Sequence, residues 1–131
     1  MEASLKLQRL LVAALESSSA FQAAGLRVHD GPPADAQPPY VSLGPDSCIP
    51  WGWKGGGGHE HRVTLTAWLG RGGMAGAKQL LAIIEAAILA APRSHEGLRI
   101  VQLRPIRSSV KRNPKSWTEG RIEYLARTTE D

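Results

Sequence analysis

The residues with the clearest capacity for chemistry are the histidines of His59-Glu60-His61. On a β-strand alternate side chains lie on one side, so the two imidazoles could bind a single metal ion. Their spacing differs from the helical His-Glu-x-x-His motif, whose histidines converge after one helical turn. A third ligand would have to come from a distant residue such as His29 or His95. We therefore predict no metal site and interpret the segment as the polar start of a strand.

The remaining candidates for chemistry are a glycine run at residues 55–58 and a single cysteine, Cys48. A phosphate-binding loop precedes a helix whose N-terminus binds the anion, whereas Lys54 precedes this run and a strand follows it. Cys48 cannot form an internal disulfide, and no nucleophile motif surrounds it. No Gly-x-Ser-x-Gly signature is present, and the carboxylates are scattered singly. We predict that the protein is not an enzyme and uses no cofactor.

The composition is that of one folded domain with a mildly basic balance. The 131 residues fit a single domain, and 42% hydrophobic with 21% charged residues support a core. The net charge of +4 and the pI of about 9.6 favour an anionic partner. The longest apolar stretch, residues 80–91, contains Glu85 and is too short to cross a bilayer. We expect no signal peptide and no membrane partner. We also expect the protein to be made in a reducing cytosol.

Basic residues crowd the last third of the chain, close to Trp117. Three interpretations remain open: a nucleic-acid-binding surface, a surface for an acidic partner or for DNA in a channel, and a solvated strand face. The basic residues are Arg99, Arg104, Arg107, Lys111, Arg112 and Lys115.

The elements that must position these residues follow from hydrophobic periodicity. Apolar residues at helical spacing predict helices over residues 5–15 and 74–91, and Gly25 is a plausible end for a short helical segment after the first. Alternation predicts strands over residues 26–29, 40–44, 59–69, 98–106 and 117–128, and residues 108–112 could extend the fourth. Pro105 is expected to bend or end that strand, and residues 113–116 form a turn.

Strand parity predicts which side chains share a face. Leu98, Ile100 and Gln102 should alternate against Arg99, Val101 and Leu103. Thr64, Thr66 and Trp68 on one strand, with Arg121, Glu123 and Arg127 on another, should line a second face of the sheet.

The order of elements predicts an α+β domain with a mixed, mainly antiparallel sheet and two helices packed on one face. It spans residues 1–131 as a single unit, with a long mobile loop at about 45–58 that holds two tryptophans. The second sheet face must then meet water or a neighbouring subunit.

Several strings in this order resemble the tail-terminator, or tail-completion, family of long-tailed bacteriophages and of the related gene transfer agents. The resemblance covers nearly the whole chain. It is carried by Val28-His29-Asp30-Gly31-Pro32-Pro33, Pro39-Tyr40-Val41-Ser42-Leu43-Gly44, Glu60-His61-Arg62-Val63-Thr64-Leu65, Ala75-Gly76-Ala77-Lys78 and Ala126-Arg127-Thr128.

The resemblance implies a structural virion component of a phage, prophage or gene transfer agent, made in the bacterial host cytoplasm. Such subunits form a ring, usually a hexamer, that caps the head-proximal end of the tail tube, stops its polymerisation and supports head–tail joining. The implied partners are other copies of the chain, the major tail tube protein, a head–tail connector and, as a further option, DNA in the channel. As partner contacts we predict Trp51, Trp53, Lys54, Arg107, Lys111 and Arg112. A basic nucleic-acid-binding module and a neighbouring head–tail joining protein are the alternatives.

Overall fold

A computed structural model of the chain describes residues 1–31, 37–52, 57–70, 73–113 and 117–130. The elements are, in chain order, α1 (Glu2–Glu16), α2 (Ser19–Ala23), β1 (Val28–His29), β2 (Tyr40–Leu43), β3 (Ser47–Trp51), β4 (Gly58–Leu69), α3 (Met74–Leu89), β5 (Ser94–His95), β6 (Leu98–Arg112) and β7 (Thr118–Glu130).

The first two helices are separated by a serine cap and end on a glycine. Leucines of α1 at helical spacing, among them Leu7, Leu11 and Leu15, are buried against the sheet and against α3. Ser18 precedes α2 and accepts a hydrogen bond from the backbone N–H of Phe21 at 3.2 Å. Gly25 has a φ of +72°, which closes this region and confirms the predicted helix end.

Helix α3 lies over the centre of the sheet. Its buried residues, which include Leu81, Ile84 and Ile88, recur at helical spacing as predicted. A Cβ placed on Gly120 of β7 would meet the side chain of Leu81 at 3.0 Å, so the missing side chain allows the helix to approach the sheet. Both long helices therefore cover one face, and the predicted α+β architecture is confirmed.

The sheet has the strand order β1-β2-β4-β7-β6-β5, and β3 also pairs with β4. All neighbouring strands are antiparallel except β1 and β2, which are parallel. β4, β6 and β7 form the long centre, and Leu65 faces Ile122 in the buried middle of the β4–β7 ladder.

The predicted long loop at 45–58 is wrong in its first half. Residues 47–51 form β3, which pairs with β4 between Ser47–Arg62 and Trp51–Gly58. The ladder along β4 is interrupted between β2 and β3. There the backbone N–H of Thr64 donates a hydrogen bond to a carboxylate oxygen of Asp46 at 3.3 Å. The side chain of Asp46 thus takes the place of a backbone carbonyl acceptor, so that two short strands can follow one another along β4. Residues 53–56, and with them Trp53 and Lys54, lie outside the described residues.

The expected end of the strand at Pro105 is wrong, because β6 continues to Arg112. The alternative expectation, a bend, agrees with an irregularity of the ladder beside this proline. The register shifts between Ile100 and Gln102 and again between Pro105 and Arg107, as at β-bulges. In the described residues β5 pairs only with Leu98 and Arg99, so most of β6 is an edge strand, where proline is tolerated. At the predicted turn over residues 113–116, Asn113 donates its backbone N–H to the carbonyl oxygen of Trp117 at 2.8 Å. Residues 114–116 lie outside the described residues.

Candidate interaction surface

One face of the sheet carries none of the described helices, and we call it the open face. Residues directly opposite each other in an antiparallel ladder share a face, so the register assigns each side chain to one side. The open face comprises Tyr40, Ser42, Ser47, Ile49, Trp51, Glu60, Arg62, Thr64, Thr66, Trp68, Arg99, Gln102, Arg104, Arg107, Ser109, Lys111, Glu119, Arg121, Glu123, Leu125, Arg127 and Thr129.

The register confirms the parity prediction for β4 and β7. Thr64 lies opposite Glu123, Thr66 opposite Arg121, and Trp68 opposite Glu119. Although no described helix covers them, Thr64 and Thr66 are 6% and 2% exposed. Their neighbours on the open face therefore shield the backbone of β4 from water.

The two bulges of β6 gather its basic side chains on the open face. Arg99 and Arg104 are five positions apart and would lie on opposite faces of a regular strand. The shift after Ile100 moves Arg104 to the side of Arg99, and the shift after Pro105 keeps Arg107 there too. Leu103 consequently faces the helices beside Ala126, so the predicted alternation fails after Val101.

The resulting basic stripe consists of Arg99, Arg104, Arg107 and Lys111, all exposed. Two of these, Arg107 and Lys111, are predicted partner contacts. Arg112, a third predicted contact, lies opposite Thr118 and so belongs to the helix side. Lys115 lies outside the described residues. The structure thus separates Arg112 from the stripe, while the contact roles themselves remain predictions.

The charge of the open face is largely uncompensated. In the described part of the chain, Arg127 is the only basic residue of this face in an ion pair, with its Nε 3.0 Å from Glu60 Oε2. Glu119 and Glu123 lie opposite Lys111 and Arg107 without forming one. The stripe therefore offers positive charge to an anionic partner.

Aromatic rings form a row at one end of the open face. The rings of Tyr40 and Trp68 stack with centroids 6.4 Å apart, and Trp117 meets Trp68 edge-on at 5.9 Å. His29 extends the row, edge-on to Tyr40 at 5.4 Å. Trp68 also donates its Nε1–H to Ser42 Oγ at 2.8 Å. Trp117 remains 46% exposed, which makes it the accessible member of the row. Parity assigned Trp68 to this face, but no sequence signal indicated the row.

Trp51 lies at the other end of the face, on a strand and not in the mobile loop that the sequence predicted. It lies half-buried on β3, and the guanidinium of Arg127 stands over its ring. Its aromatic face is therefore already occupied by a cation of the same chain. A contact of Trp51 with a partner subunit stays a prediction.

His59 and His61 lie on the helix side of the sheet, with ring centroids 6.2 Å apart. His61 is 1% exposed, and its Nε2 lies 2.8 Å from Thr128 Oγ1. Burial, and secondarily the neighbouring His59, lowers the pKa of His61 to about 4, so the imidazole is neutral at neutral pH. Across the described ranges no group of three or more His, Cys, Asp or Glu side chains is arranged to hold a metal ion. The histidines belong to a strand of the core.

Comparisons with known proteins identify one matching family and solved structures of the same fold. A family model described as tail completion protein gp17 matches residues 9–129. A chain in the virion of a native gene transfer agent particle superimposes with a TM-score of 0.72 at 22% identity, covering 97% of each chain. The gp17 protein of bacteriophage SPP1 superimposes with a TM-score of 0.67 at 22% identity, covering 100% of this chain and 93% of that one. At this identity both show the fold. No curated protein sequence matches. None of the described helices has the length and hydropathy needed to span a membrane.

Proposed function

Because the chain belongs to the tail completion protein gp17 family and is thus a tail component of a phage-like virion, we propose that it is a ring-forming tail terminator. In this role copies of the chain assemble at the head-proximal end of the tail tube. The ring stops tube polymerisation and provides the surface to which the head joins. We expect a hexamer, with the tube protein on one side and a head–tail connector on the other.

The observation that carries the proposal is the amount of sheet left uncovered by the described elements. The open face has polar and charged residues along its whole width, and β6 presents a long outer edge. A closed ring requires two different patches on each subunit that fit each other, because its contacts are head-to-tail. Faces and edges of this kind can supply such patches, because an edge strand presents unpaired backbone groups with which another chain can pair.

The gene-deletion phenotype tests the role directly. Deleting the gene from a strain that produces the particle should give tails that are not joined to heads, with tubes of irregular or excessive length in electron micrographs. Supplying the full chain from a plasmid should restore joined tails of uniform length. Tails of normal length attached to heads in the deletion strain would refute the proposal.

A second activity is favoured by the basic stripe, namely contact with DNA without sequence readout. Exposed arginine and lysine residues that follow one strand can contact successive phosphates of a backbone. The purified chain should then bind duplexes of unrelated sequence equally, and binding should weaken steeply between about 50 and 200 mM salt. Fluorescence anisotropy measures this. Absence of binding at low salt would assign the stripe to an acidic protein surface.

A further inference from the structure

The sheet has two outer edges that the described residues leave unpaired over a useful length. On β6, β5 covers only Leu98 and Arg99, and Arg93 O accepts from the N–H of Ile100 at 2.7 Å. Residues 101–112 have no further strand beside them in the described chain. On the opposite side, β3 pairs with β4 through one edge only. The remaining outer strands, β1 and β5, have two residues each and are too short to hold a partner.

The directions of these two edges fit a repeat of the same chain. β3 is antiparallel to β4, β4 to β7, and β7 to β6, so β3 and β6 run in opposite directions. If a second copy is displaced sideways in the plane of the sheet, its β3 comes beside β6 of the first copy. The two strands are then antiparallel, like their neighbours, and the ladder can continue from copy to copy. The two patches differ, as a head-to-tail ring requires.

The side chains of the two edges are complementary. Each edge exposes a β-branched apolar residue, Ile49 at 55% on β3 and Val101 at 53% on β6. Residues 101–112 contain basic residues and no acidic one, whereas residues 44–51 contain Asp46 and no basic one. The positive charge of β6 also discourages two β6 edges from pairing with each other, which favours the unlike pair.

We propose that β6 of one copy pairs antiparallel with β3 of the next, so that the sheet continues around the ring. This inference rests on the proposed ring function and names its subunit contact. Pro50 has no N–H to donate, so the ladder between copies is short. Burial of Ile49 and Val101 and the attraction between Asp46 and the basic stretch then contribute much of the specificity. Ring closure adds strength, because each copy is held at two sites.

The single cysteine allows a direct test by disulfide crosslinking. Cys48 lies opposite His61 and therefore on the helix side of β3. Helix-side cysteines on β6, introduced as Leu103→Cys, Ser108→Cys and Val110→Cys, sample the registers that the pairing allows. Neighbouring strands bring such residues to the Cα separation of about 5.5 Å that a disulfide needs. At least one of these variants should give a reducible ladder of oligomers under mild oxidation.

Open-face neighbours provide the matched control. Ser109→Cys differs from Ser108→Cys by one position, and both serines are exposed, but its side chain points to the other face. Ser109→Cys and Arg104→Cys should give little crosslinking, and Cys48→Ser should abolish every ladder. Equal crosslinking from both faces, or none from any helix-side position, would overturn the pairing.

A charge placed on the β3 edge gives an independent readout. Ile49→Lys should weaken association about tenfold or more, because it brings a lysine against the basic stretch of β6. Leu89→Lys is the control, since Leu89 is similarly exposed at 60% but lies at the end of α3. Circular dichroism checks that both variants fold. Equal association of the two variants would overturn the proposal.

Electron microscopy of the same samples separates the pairing from the proposed function. Rings that form without face-specific crosslinks would overturn the edge pairing and leave the terminator proposal intact. Face-specific crosslinks in open chains without closed rings would support the pairing and contradict the ring. A chain that remains monomeric at high concentration and does not crosslink would overturn both.

Discussion

The guanidinium carbon of Arg127 lies 5.0 Å from the centroid of the Trp51 ring, while Nε of the same arginine is 3.0 Å from Glu60 Oε2. The three residues belong to β7, β3 and β4, so the contact joins three strands on the open face. Trp51 is therefore part of the folded sheet before any partner binds. Its contribution to stability has to be separated from any contribution to assembly.

A double-mutant cycle on Trp51 and Arg127 measures this contact. Trp51→Ala and Arg127→Ala should each destabilise the fold, with a coupling of about 0.5–1 kcal/mol, because the cation and the ring face interact only when both are present. Urea unfolding gives the three free-energy differences. Trp117→Ala with Arg127→Ala is the control pair and should be additive, since Trp117 precedes β7 and Arg127 lies near the far end of that strand. Additive effects for Trp51 and Arg127 would contradict the contact.

Two adjacent glycines should respond differently to alanine. A Cβ on Gly58 would collide with the backbone oxygen of Trp51, whereas a Cβ on Gly57 meets nothing within 4 Å. Gly58→Ala should therefore lower the free energy of unfolding by about 1–3 kcal/mol, because β3 must move away from β4. Gly57→Ala should change it by less than about 0.5 kcal/mol. Thermal or urea unfolding of the two variants compares them, and equal losses would show that β3 does not approach β4 at Gly58.

The stability of the fold should depend on the protonation of His61. Its pKa is about 4 in the folded chain and about 6.5 in the unfolded chain, so the unfolded chain binds the proton more readily. The stabilisation from the neutral imidazole is fully present above about pH 6.5 and is lost as the pH falls towards 4, by about 3 kcal/mol over the range.

Urea unfolding monitored by tryptophan fluorescence at about pH 7 and pH 4.5 tests this. His61→Gln retains a hydrogen-bonding group near Thr128 but cannot titrate, so its free energy of unfolding should fall less between the two pH values. The same pH dependence in both proteins would assign the acid sensitivity to the carboxylates instead.

The hydroxyl of Tyr124 can be removed with little loss. It is buried, with no hydrogen-bond partner among the described residues, and burial raises its pKa above the ordinary tyrosine value. Tyr124→Phe leaves no other polar group unpaired, so the free energy of unfolding should stay constant or rise by up to about 1 kcal/mol. Tyr124→Leu, which removes the ring, should cost about 1–3 kcal/mol. A substantial loss in Tyr124→Phe would reveal a partner for the hydroxyl.

Charge reversal on the basic stripe tests its contact with DNA. Arg107→Glu combined with Lys111→Glu should reduce the dependence of log affinity on log salt by about two, because two phosphate contacts are lost. Arg9→Glu combined with Lys78→Glu changes the net charge equally at exposed positions on α1 and α3 and should leave that slope nearly unchanged. Fluorescence anisotropy at several salt concentrations provides both slopes. Equal losses would mean that DNA responds to net charge alone.

Much of the fold could be predicted from local patterns in the amino-acid sequence. Helical spacing of leucine and alanine placed α1 and α3, and strict alternation over residues 59–69 placed β4 and identified its two faces. The same period placed Thr64 and Thr66 on one face with Arg121 and Glu123 of the last strand, because side chains alternate with a repeat of two in any regular strand. These are short-range constraints, so they can be deduced without knowing what packs against each element.

The tertiary structure alone decided the features that depend on neighbouring strands. Residues 47–51 contain a proline and no clear alternation, and they form β3 because β4 offers an open edge beside them. The basic stripe exists because two bulges in β6, enforced by its register with β7, turn Arg99, Arg104 and Arg107 to one face. The same long-range register separates Arg112 from that stripe and places Trp51 beneath Arg127. Composition and order therefore determined the class of the domain, but the geometry of its candidate surface was set by strand pairings between residues far apart in the chain.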